Sequence, residues 1–480
     1  MAGGLRRLLT EPARPARVRD WPGAPWLAVA AVCIGAFMGQ LDASIVTLAL
    51  PDLRTQLHAS LGSVEWVSLI YLLVLVGSVS AAGRLADMAG RKLLYTYGFA
   101  VFTLASLGCG LAPNLAVLLL ARVVQALGAA MLQANSVAMI RTTVAAGALN
   151  RAIGLQGAAQ ALGLALGPAV GGLLIELGGW RWVFYVNLPA GVVGIVLGVL
   201  LLPRTPAKAL RTRLDWAGLA TLLPASAGLL LALSLAGRDG FSIPIALVAT
   251  CAVAVAVLFV VIERHSRSPL VDLSLFADRA FAAGISSGLL AYLVLFGALL
   301  VSPLYLESAY RLPSGTAGLI ICVLPVALGL TAPLAGAGAD RFGARTLTTT
   351  GMALTCLALS VAALTVGDRS VLVAMLGLAG IGLGLFTPAN NTAVARAGST
   401  EQAGMVSGVL NMTRGVGTSL GIAVAGAGYT LAVGTAGVAS AAAAGHGFRV
   451  TVLVLTVAAA LAAVLAAGSP VRGMPSRATM

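Results

Sequence analysis

Long apolar stretches dominate the 480-residue chain and alternate with short polar segments. A stretch of about 20 apolar residues is long enough to cross the hydrocarbon core of a bilayer as an α-helix. Fourteen such stretches predict an all-α polytopic membrane protein with fourteen transmembrane helices. The predicted spans cover residues 26–50, 64–82, 93–112, 115–139, 152–176, 182–202, 216–236, 243–262, 281–304, 316–337, 346–366, 370–394, 403–429 and 448–468.

The composition agrees with a membrane environment. Apolar residues make up 59% of the chain and charged residues only 10%. A soluble domain carries roughly 25% charged residues because it must cover its surface for water. A very large buried core does not explain the difference, since even large soluble domains leave much of their surface wet.

The net charge of +14 raises the question of nucleic-acid binding, which the location of the charges answers. An even number of spans places both termini on one side, and we take that side as cytoplasmic. Of the 30 basic residues, six then lie outside, Arg122 and Arg414 lie within spans, and the remaining twenty-two lie inside. This asymmetry follows the positive-inside rule. We therefore expect a multi-pass protein of the bacterial inner (cytoplasmic) membrane with both termini cytoplasmic, and no nucleic-acid partner.

The chain divides into two blocks of six spans with an extra pair between them. We expect an N-terminal bundle at 21–202, two extra helices and their linkers at 203–280, and a C-terminal bundle at 281–469. Cytoplasmic tails are expected at 1–20 and 470–480.

The two blocks carry matching patterns at a nearly constant offset. The segment after span two recurs 253 residues later, and the glycines of span five recur 254 residues later in span thirteen. A duplicated six-helix bundle is the architecture of transporters that rock one half against the other around a midplane site. The matched residues are Gly83, Ala86, Asp87, Gly90 and Lys92 with Gly336, Ala339, Asp340, Gly343 and Arg345, and Gly154, Gly163, Gly167 and Gly172 with Gly408, Gly417, Gly421 and Gly426.

Two charged residues lie deep in the first block. Asp42 is about nine residues from the outer end of span one, roughly 13 Å below it, and Arg122 is roughly 10 Å deep in span four. A charged side chain at that depth is costly and indicates function. The alternative is a structural carboxylate that pairs with a neighbouring helix.

Four short segments carry recognisable motifs. Span one holds Leu-Asp-Ala-Ser-Ile-Val-Thr-Leu-Ala-Leu-Pro at 41–51, and span four holds Arg-Val-Val-Gln-Ala-Leu-Gly at 122–128. Span five holds Gly-x8-Gly-x3-Gly-Pro-x2-Gly-Gly at 154–172, and the charged segment 83–92 follows span two. Together they resemble the fourteen-helix drug:proton antiporter family of the major facilitator superfamily, over nearly the whole chain. Ala126 replaces the glycine of the family's Arg-x-x-Gln-Gly motif.

The resemblance implies a major facilitator fold of 6+2+6 helices. It also implies a proton-coupled secondary active exporter (antiporter) of small amphiphilic organic molecules such as drugs or antibiotics, which works by alternating access. Spans one and four are neighbours in the family fold, so Asp42 and Arg122 are expected to form the proton-coupling site. A nearby guanidinium stabilises the ionised carboxylate whereas burial favours the protonated form. Motion between states can change that balance and so load or release a proton.

Gating roles also follow from the resemblance. In the family the 83–92 segment acts as a latch between conformations; a simple positive-inside stop is the alternative. The span-five glycines let helices approach closely and the proline kinks the span, although ordinary small-residue packing explains any single glycine. The expected gating residues are Gly83, Asp87, Gly90, Arg91, Asp340, Arg345, Gly163, Gly167, Pro168, Gly171 and Gly172.

Polar side chains within the spans are candidates for the wall of a central substrate cavity. Arg414, roughly 16 Å into span thirteen, either binds backbone carbonyls as an anchor or faces the cavity and shapes its charge preference. One deep acid against two deep arginines disfavours dications, so neutral, monocationic or anionic amphiphiles are expected. The cavity candidates are Gln40, Tyr71, Gln125, Gln133, Asn135, Gln160, Asn390, Asn391, Asn411, Arg414 and Glu307.

The sequence lacks the motifs of other energy sources and of catalysis. The two lysines, Lys92 and Lys208, do not belong to a phosphate-binding loop. No metal-ligand cluster or nucleophile turn is evident. We expect no enzymatic activity, no metal, and no cofactor beyond the proton gradient, in a monomer whose partners are substrate, protons and lipids. The alternatives are a lipid or natural-product translocase of the same fold, and a channel or non-transporting receptor.

Overall fold

The computed structural model describes residues 11, 14–59, 61–204, 215–239, 242–266, 269, 271–312, 314–397, 402–433 and 441–468. All regular structure in these ranges is helical, and fourteen helices there have fifteen or more residues. The fourteen are α1 Ala24–Ile45, α2 Leu61–Ala89, α3 Arg91–Gly110, α4 Leu115–Thr143, α5 Leu149–Gly178, α6 Asn187–Leu201, α7 Trp216–Asp239, α8 Ile243–His265, α9 Arg279–Tyr310, α10 Val323–Phe342, α11 Ala344–Leu364, α12 Arg369–Ala397, α13 Ala403–Val433 and α14 Ala441–Gly468.

The described residues match most of the fourteen predicted membrane crossings by length and apolarity. Eleven helical segments in the described ranges are long and apolar enough to cross a membrane, or twelve if α5 counts as one bent span. The remaining two predicted spans form α7 and α13, which have 24 and 31 residues.

Several predicted boundaries shift because the helices continue beyond the bilayer-length stretch. Helix α2 runs seven residues past the predicted span to Ala89, so most of the 83–92 segment is helical rather than a loop. Only Gly90 separates α2 from α3, with φ +107°, and Gly343 separates α10 from α11 with φ +80°. Glycine adopts this backbone region without a Cβ penalty. The two sharp turns therefore occupy equivalent places in the two halves.

Helices α1–α6 pack into one bundle and α9–α14 into another. In the first bundle α1 packs against α4, α5 and α6, while α3 packs against α4 and α6; in the second, α9 packs against α12, α13 and α14, while α11 packs against α12 and α14. One apolar core surrounds Phe99 of the first bundle and continues into the second through residues such as Phe281 and Val406, and another surrounds Phe386 of the second bundle.

Equivalent glycines bring equivalent helices together in the two bundles. A Cβ at Gly163 of α5 would lie 2.5 Å from the carbonyl oxygen of Phe37 in α1, and a Cβ at Gly417 of α13 would lie 2.5 Å from that of Leu289 in α9. Both distances are too short for any side chain, so the α1–α5 and α9–α13 contacts require glycine.

The bundles meet chiefly along two helix pairs, α2 with α13 and α5 with α10, and α4 also packs against α13 and α5 against α12. We call the side at which α1 begins and α14 ends the tail side, and the opposite side the far side. A Cβ at Gly154 of α5 would lie 2.6 Å from the carbonyl oxygen of Ala332 in α10, and a Cβ at Gly408 of α13 would lie 3.1 Å from Cα of Ser80 in α2. The bundles are therefore in close contact towards the tail side.

The bundles diverge towards the far side. A Cβ at Gly172, near the far end of α5, would have no atom of a neighbouring segment within 4 Å, and the same holds at Gly318 in the short helix Ser314–Ile321 that precedes α10. Helix α5 bends by 44° between Leu149–Gly167 and Val170–Gly178. The bend lies at Pro168, a residue that cannot donate a backbone hydrogen bond. Contact on one side and separation on the other leave a cavity between the bundles.

The two inserted helices α7 and α8 form a hairpin beside the bundles. They pack against each other, and α7 also packs against α2 and α13. Most of the linker expected at 203–215 lies outside the described residues, as do 1–10 and 12–13 of the N-terminal tail and all of 470–480. On the tail side, Glu11 accepts hydrogen bonds from the backbone N–H groups of Lys92 and Leu93 at the start of α3, at 3.1 and 3.3 Å.

Candidate functional site

A buried ion pair joins α1 to α4. Nη1 of Arg122 lies 2.7 Å from Oδ2 of Asp42, and the two side chains are 1% and 0% exposed. Two opposite charges removed from solvent are stable only when their remaining hydrogen-bonding groups are also satisfied. The neighbouring polar side chains meet that requirement.

Three further polar side chains complete the network around Asp42. Gln125, one turn along α4 from Arg122, donates from Nε2 to Oδ1 of Asp42 at 2.9 Å and accepts from Arg122 Nη1 at 2.7 Å. Asn187, the first residue of α6, donates to the same Oδ1 at 3.0 Å. Ser106 of α3 lies 2.8 Å from Gln125 Nε2. Each of these donors satisfies part of the hydrogen-bonding capacity of the buried carboxylate.

Arg122 also contacts α2, on the side of its guanidinium away from Asp42. Its Nε donates to the backbone oxygen of Val67 in α2 at 2.9 Å, and its guanidinium carbon lies 4.1 Å from the ring centre of Tyr71. A guanidinium over an aromatic face is attracted by the negative electrostatic potential at the face of the ring. The Tyr71 hydroxyl is buried and has no hydrogen-bond partner among the described residues. Arg122 and Tyr71 both line the central cavity, so Arg122 stands between Asp42 and that space.

The cavity has a volume of about 800 Å³ and lies between the bundles, towards the far side. This volume is sufficient for a drug-sized molecule. Its wall is mostly apolar, with side chains such as Leu72, Phe296 and Leu299. Of the polar residues predicted to face it, seven line the wall: Gln40, Tyr71, Gln133, Gln160, Asn411, Arg414 and Glu307.

Four other predicted cavity residues lie elsewhere. Gln125 is bonded within the Asp42 network, and Asn135 donates to the carbonyl of Met131 in its own helix at 2.8 Å. Asn390 donates to the carbonyl of Gly284 in α9 at 3.0 Å, and Asn391 is 5% exposed outside the cavity lining. A polar side chain in an apolar helix can bond within its own bundle instead of facing the cavity, as Gln125, Asn135 and Asn390 do.

Arg414 faces the cavity from α13. Its Nη1 donates to Oε1 of Gln160 in α5 at 3.2 Å and to Oδ1 of Asn411 at 3.1 Å. Its partners are therefore side-chain amides in both bundles rather than the backbone carbonyls of an anchor. The guanidinium carbon also lies 5.4 Å from the ring centre of Tyr292 in α9.

The predicted latch joins the two bundles on the tail side. Oδ1 of Asp87 accepts from Nη2 of Arg91 at 2.8 Å, and Oδ2 accepts from the backbone N–H of Met405 at 3.1 Å. Met405 lies in the first turn of α13, where backbone N–H groups lack partners within the helix. The carboxylate therefore connects the end of α2 to the start of α13.

The remaining gating candidates have varied surroundings. Gly83 and Gly171 are buried, while Arg345 is exposed at the start of α11. Gly167 leaves room for the Ser44 side chain of α1. The side chains of Pro168 and Asp340 lie outside the described residues. The second-half copy of the latch therefore contributes no described ion pair.

Sequence reasoning missed Asn187 and Ser106 as members of the network around the charged pair. Asn187 was visible only as one polar residue near the start of an apolar span, and Ser106 as one serine within another. Helix depth can be counted from a sequence, but the face of each helix that turns towards Asp42 depends on how six helices pack.

Comparison with known proteins places the chain among membrane transporters. It matches the Major Facilitator Superfamily family model over residues 32–422 and 284–476. It is 34% identical over 405 residues to the multidrug resistance protein Stp of Mycobacterium tuberculosis, covering 84% of this chain and 75% of that protein. It is 31% identical over 407 residues to the tetracenomycin C resistance and export protein of Streptomyces glaucescens, with 84% and 76% covered.

The fold agrees with that comparison. The crystal structure of the human organic anion transporter MFSD10 (TETRAN) superposes with a TM-score of 0.66 at 16% identity, covering 93% of this chain and all of that one. The riboflavin transporter RibZ of Clostridioides difficile is 30% identical over 400 residues, with 83% of this chain and 87% of that protein covered. The chain therefore belongs to the Major Facilitator Superfamily.

Proposed function

We propose that the chain is a proton-coupled exporter of small amphiphilic organic molecules that works by alternating access. The observation that carries the proposal is the Asp42–Arg122 pair, because the arginine that holds the carboxylate also forms part of the cavity wall. Protonation of Asp42 removes one charge of the pair and leaves Arg122 as an uncompensated cation beside the cavity. Proton loading and substrate occupancy thereby act on the same side chain.

The contacts between the bundles support alternating access. Two helix pairs, α2 with α13 and α5 with α10, touch on the tail side and separate on the far side. Rocking of the unit 21–202 against the unit 281–469 closes the far side and opens the tail side. The Asp87–Met405 contact breaks in that motion, and Arg122 moves with α4 relative to α1 and α2.

The topology completes the proposal. Helices α7 and α13 cross the bacterial inner membrane together with the other twelve long helices, giving fourteen crossings with both termini in the cytoplasm. The tail side is then cytoplasmic and the cavity opens outwards, where protons are taken up. The chain acts as a monomer without a cofactor or enzymatic activity, and the proton gradient supplies the energy.

The relatives support the choice of substrate class. Their names include multidrug resistance and tetracenomycin C resistance and export. The mostly apolar cavity with a few polar groups fits amphiphilic organic molecules of that kind. Amphiphiles that reach the cavity from the cytosol or the inner leaflet leave through the far side.

The test is transport by purified protein in proteoliposomes after a pH jump. Fluorescent neutral, anionic, monocationic and dicationic amphiphiles and a labelled lipid are compared with and without the gradient. The parent protein accumulates at least one neutral, anionic or monocationic amphiphile against its concentration gradient, and Asp42→Asn loses that accumulation while retaining downhill exchange.

Glu176→Gln provides a matched acid-to-amide control, since Glu176 is exposed at the far end of α5. It transports like the parent. Proton-driven accumulation by Asp42→Asn would overturn the role of Asp42, and transport of the labelled lipid alone would favour a lipid translocase. Conductance without saturation would indicate a channel.

A further inference from the structure

We propose that Arg414 forms a binding site for an anionic group, so that the preferred substrates are amphiphiles with a carboxylate or a similar acid beside an apolar body. This inference rests on the proposed transport function and narrows its substrate class. Four observations carry it: the lack of a counter-charge for Arg414, the direction in which it faces, its unused hydrogen-bonding capacity and the apolar wall beside it.

The charge of Arg414 is not compensated by the protein. The side chain is 9% exposed. Arg414 forms no ion pair with a described residue, unlike Arg91 and Arg122. A buried cation without a counter-ion is unfavourable. An anionic group of a ligand in the cavity supplies the missing partner.

The position of Arg414 on its helix directs it into the cavity. The residues of α13 that line the cavity are Asn411, Arg414, Gly415, Thr418 and Ile422. These positions recur at intervals of three or four residues, so they lie on one face of the helix. Arg414 is the charged residue of that face.

The guanidinium retains hydrogen-bonding capacity for a ligand. Its Nη1 is used by Gln160 and Asn411, whereas Nη2 forms no hydrogen bond with a described residue. A guanidinium presents several N–H groups in a fixed plane that matches the two oxygens of a carboxylate. Gln160 and Asn411 hold the guanidinium plane in place, and its remaining N–H groups can donate hydrogen bonds to the carboxylate of a ligand.

The other charges around the cavity do not cancel this preference. Arg122 is neutralised by Asp42 at 2.7 Å. Glu307 is exposed near the far end of α9, where water screens its charge. Buried charges interact more strongly than exposed ones. The buried part of the site therefore carries one excess positive charge.

The wall beside Arg414 accommodates an aromatic or aliphatic body. The ring of Tyr292 lies 5.4 Å from the guanidinium, and Phe296, Leu299 and Ile422 continue the lining. An acid at Arg414 with its apolar body on these side chains satisfies both parts of the site. A cationic amphiphile of the same shape meets repulsion at this position.

The experiment measures equilibrium binding of three dansyl probes of similar shape to the protein in lipid nanodiscs. Dansylglycine carries a carboxylate, dansylglycinamide is neutral, and dansyl-ethylenediamine carries one positive charge. Fluorescence titrations are corrected with empty nanodiscs. The parent binds dansylglycine about tenfold more tightly than the amide, since a hydrogen bond to a charged group contributes about that much, and binds the cation most weakly.

Variants at Arg414 separate charge from packing. Arg414→Gln can still bond Gln160 and Asn411, and it loses the preference for the carboxylate while binding the amide within about twofold of the parent. Arg414→Lys keeps the preference because it keeps the charge. Arg369→Gln, which removes an exposed arginine at the start of α12, keeps it as well. Thermal melting of each variant verifies that it is folded.

Several results would overturn the anion site. These are dansylglycine binding no better than to empty nanodiscs, equal affinity for the acid and the amide in the parent, an unchanged preference in Arg414→Gln, or loss of the preference in Arg414→Lys. The binding assay needs no gradient, so failure of the proton-coupling scheme leaves it interpretable. Conversely, proton-driven transport of neutral amphiphiles by the parent would survive failure of the anion site.

Discussion

The backbone N–H of Met405 donates to Oδ2 of Asp87 across the interface between the two bundles, at 3.1 Å. The acceptor is a carboxylate at the positive end of a helix, a favourable arrangement for both groups. Its other oxygen is held by Arg91, so the carboxylate has a fixed orientation. One side chain thus stabilises the state in which the tail side is closed.

Asp87→Asn is expected to weaken that closed state. The amide loses the charge that attracts both Arg91 and the start of α13, and transport falls by about tenfold, as the loss of a hydrogen bond to a charged group predicts. Spin labels at positions 151 and 341, exposed at the tail-side ends of α5 and α10, report longer distances in the variant. Unchanged distances and rates would show that the carboxylate is not a latch. Glu176→Gln again serves as the matched control.

Asn187→Ala is expected to lower the stability of the protein. It removes a hydrogen bond of 3.0 Å to the buried carboxylate of Asp42, and losing a hydrogen bond to a charged group costs about 1.5–3 kcal/mol in the free energy of unfolding. Thermal melting in detergent measures the effect. Asn135→Ala is the matched control, because Asn135 donates to the Met131 carbonyl of its own helix and touches no charge, and it should lower the melting temperature less. Equal melting temperatures for the two variants would contradict the assignment of Asn187 as a donor to Asp42.

Arg122→Gln is expected to destabilise the protein more than the double variant Asp42→Asn/Arg122→Gln. The single change leaves a buried carboxylate without its counter-ion, which costs about 3–5 kcal/mol in the free energy of unfolding. The double change removes both charges and recovers part of that loss. Thermal melting in detergent compares Arg122→Gln, Asp42→Asn and the double variant. A double variant that melts below both single variants would exclude a mutually compensating pair.

Replacing a glycine by alanine should separate the bundles where the glycine lies at their interface, and should have little effect where the glycine faces open space. Gly154→Ala places a Cβ 2.6 Å from the carbonyl oxygen of Ala332, so α5 and α10 must separate on the tail side. Gly172→Ala meets no neighbouring atom within 4 Å and should be nearly silent. The same pair of spin labels measures the effect as a longer tail-side distance in Gly154→Ala alone. Equal distances in both variants would mean that the contact at Gly154 does not control closure.

The sequence was informative where membrane physics acts on each helix separately. The bilayer thickness sets the length of an apolar stretch, so the positions of fourteen helices follow from hydrophobicity alone. Depth follows from residue count, which placed Asp42 and Arg122 at one level.

The surroundings of single side chains were less predictable because they depend on helix rotation and on partners distant in the chain. Asn390 and Asn411 are both asparagines within apolar helices of the second half. Asn390 is turned to Gly284 in its own bundle, and Asn411 to Gln133 in the other bundle and to the cavity. No local pattern separates these two environments. The same reason explains why Gln125 was expected in the cavity but belongs to the Asp42 network.

The hairpin α7–α8 makes the two flanks of the transporter unequal. The bundles meet at two equivalent places, but α7 packs along α2 and α13 and makes no comparable contact with α5 or α10. The α2–α13 side therefore has one more layer of helix between the bundles and the surrounding lipid than the α5–α10 side has. This asymmetry comes from the inserted pair of helices.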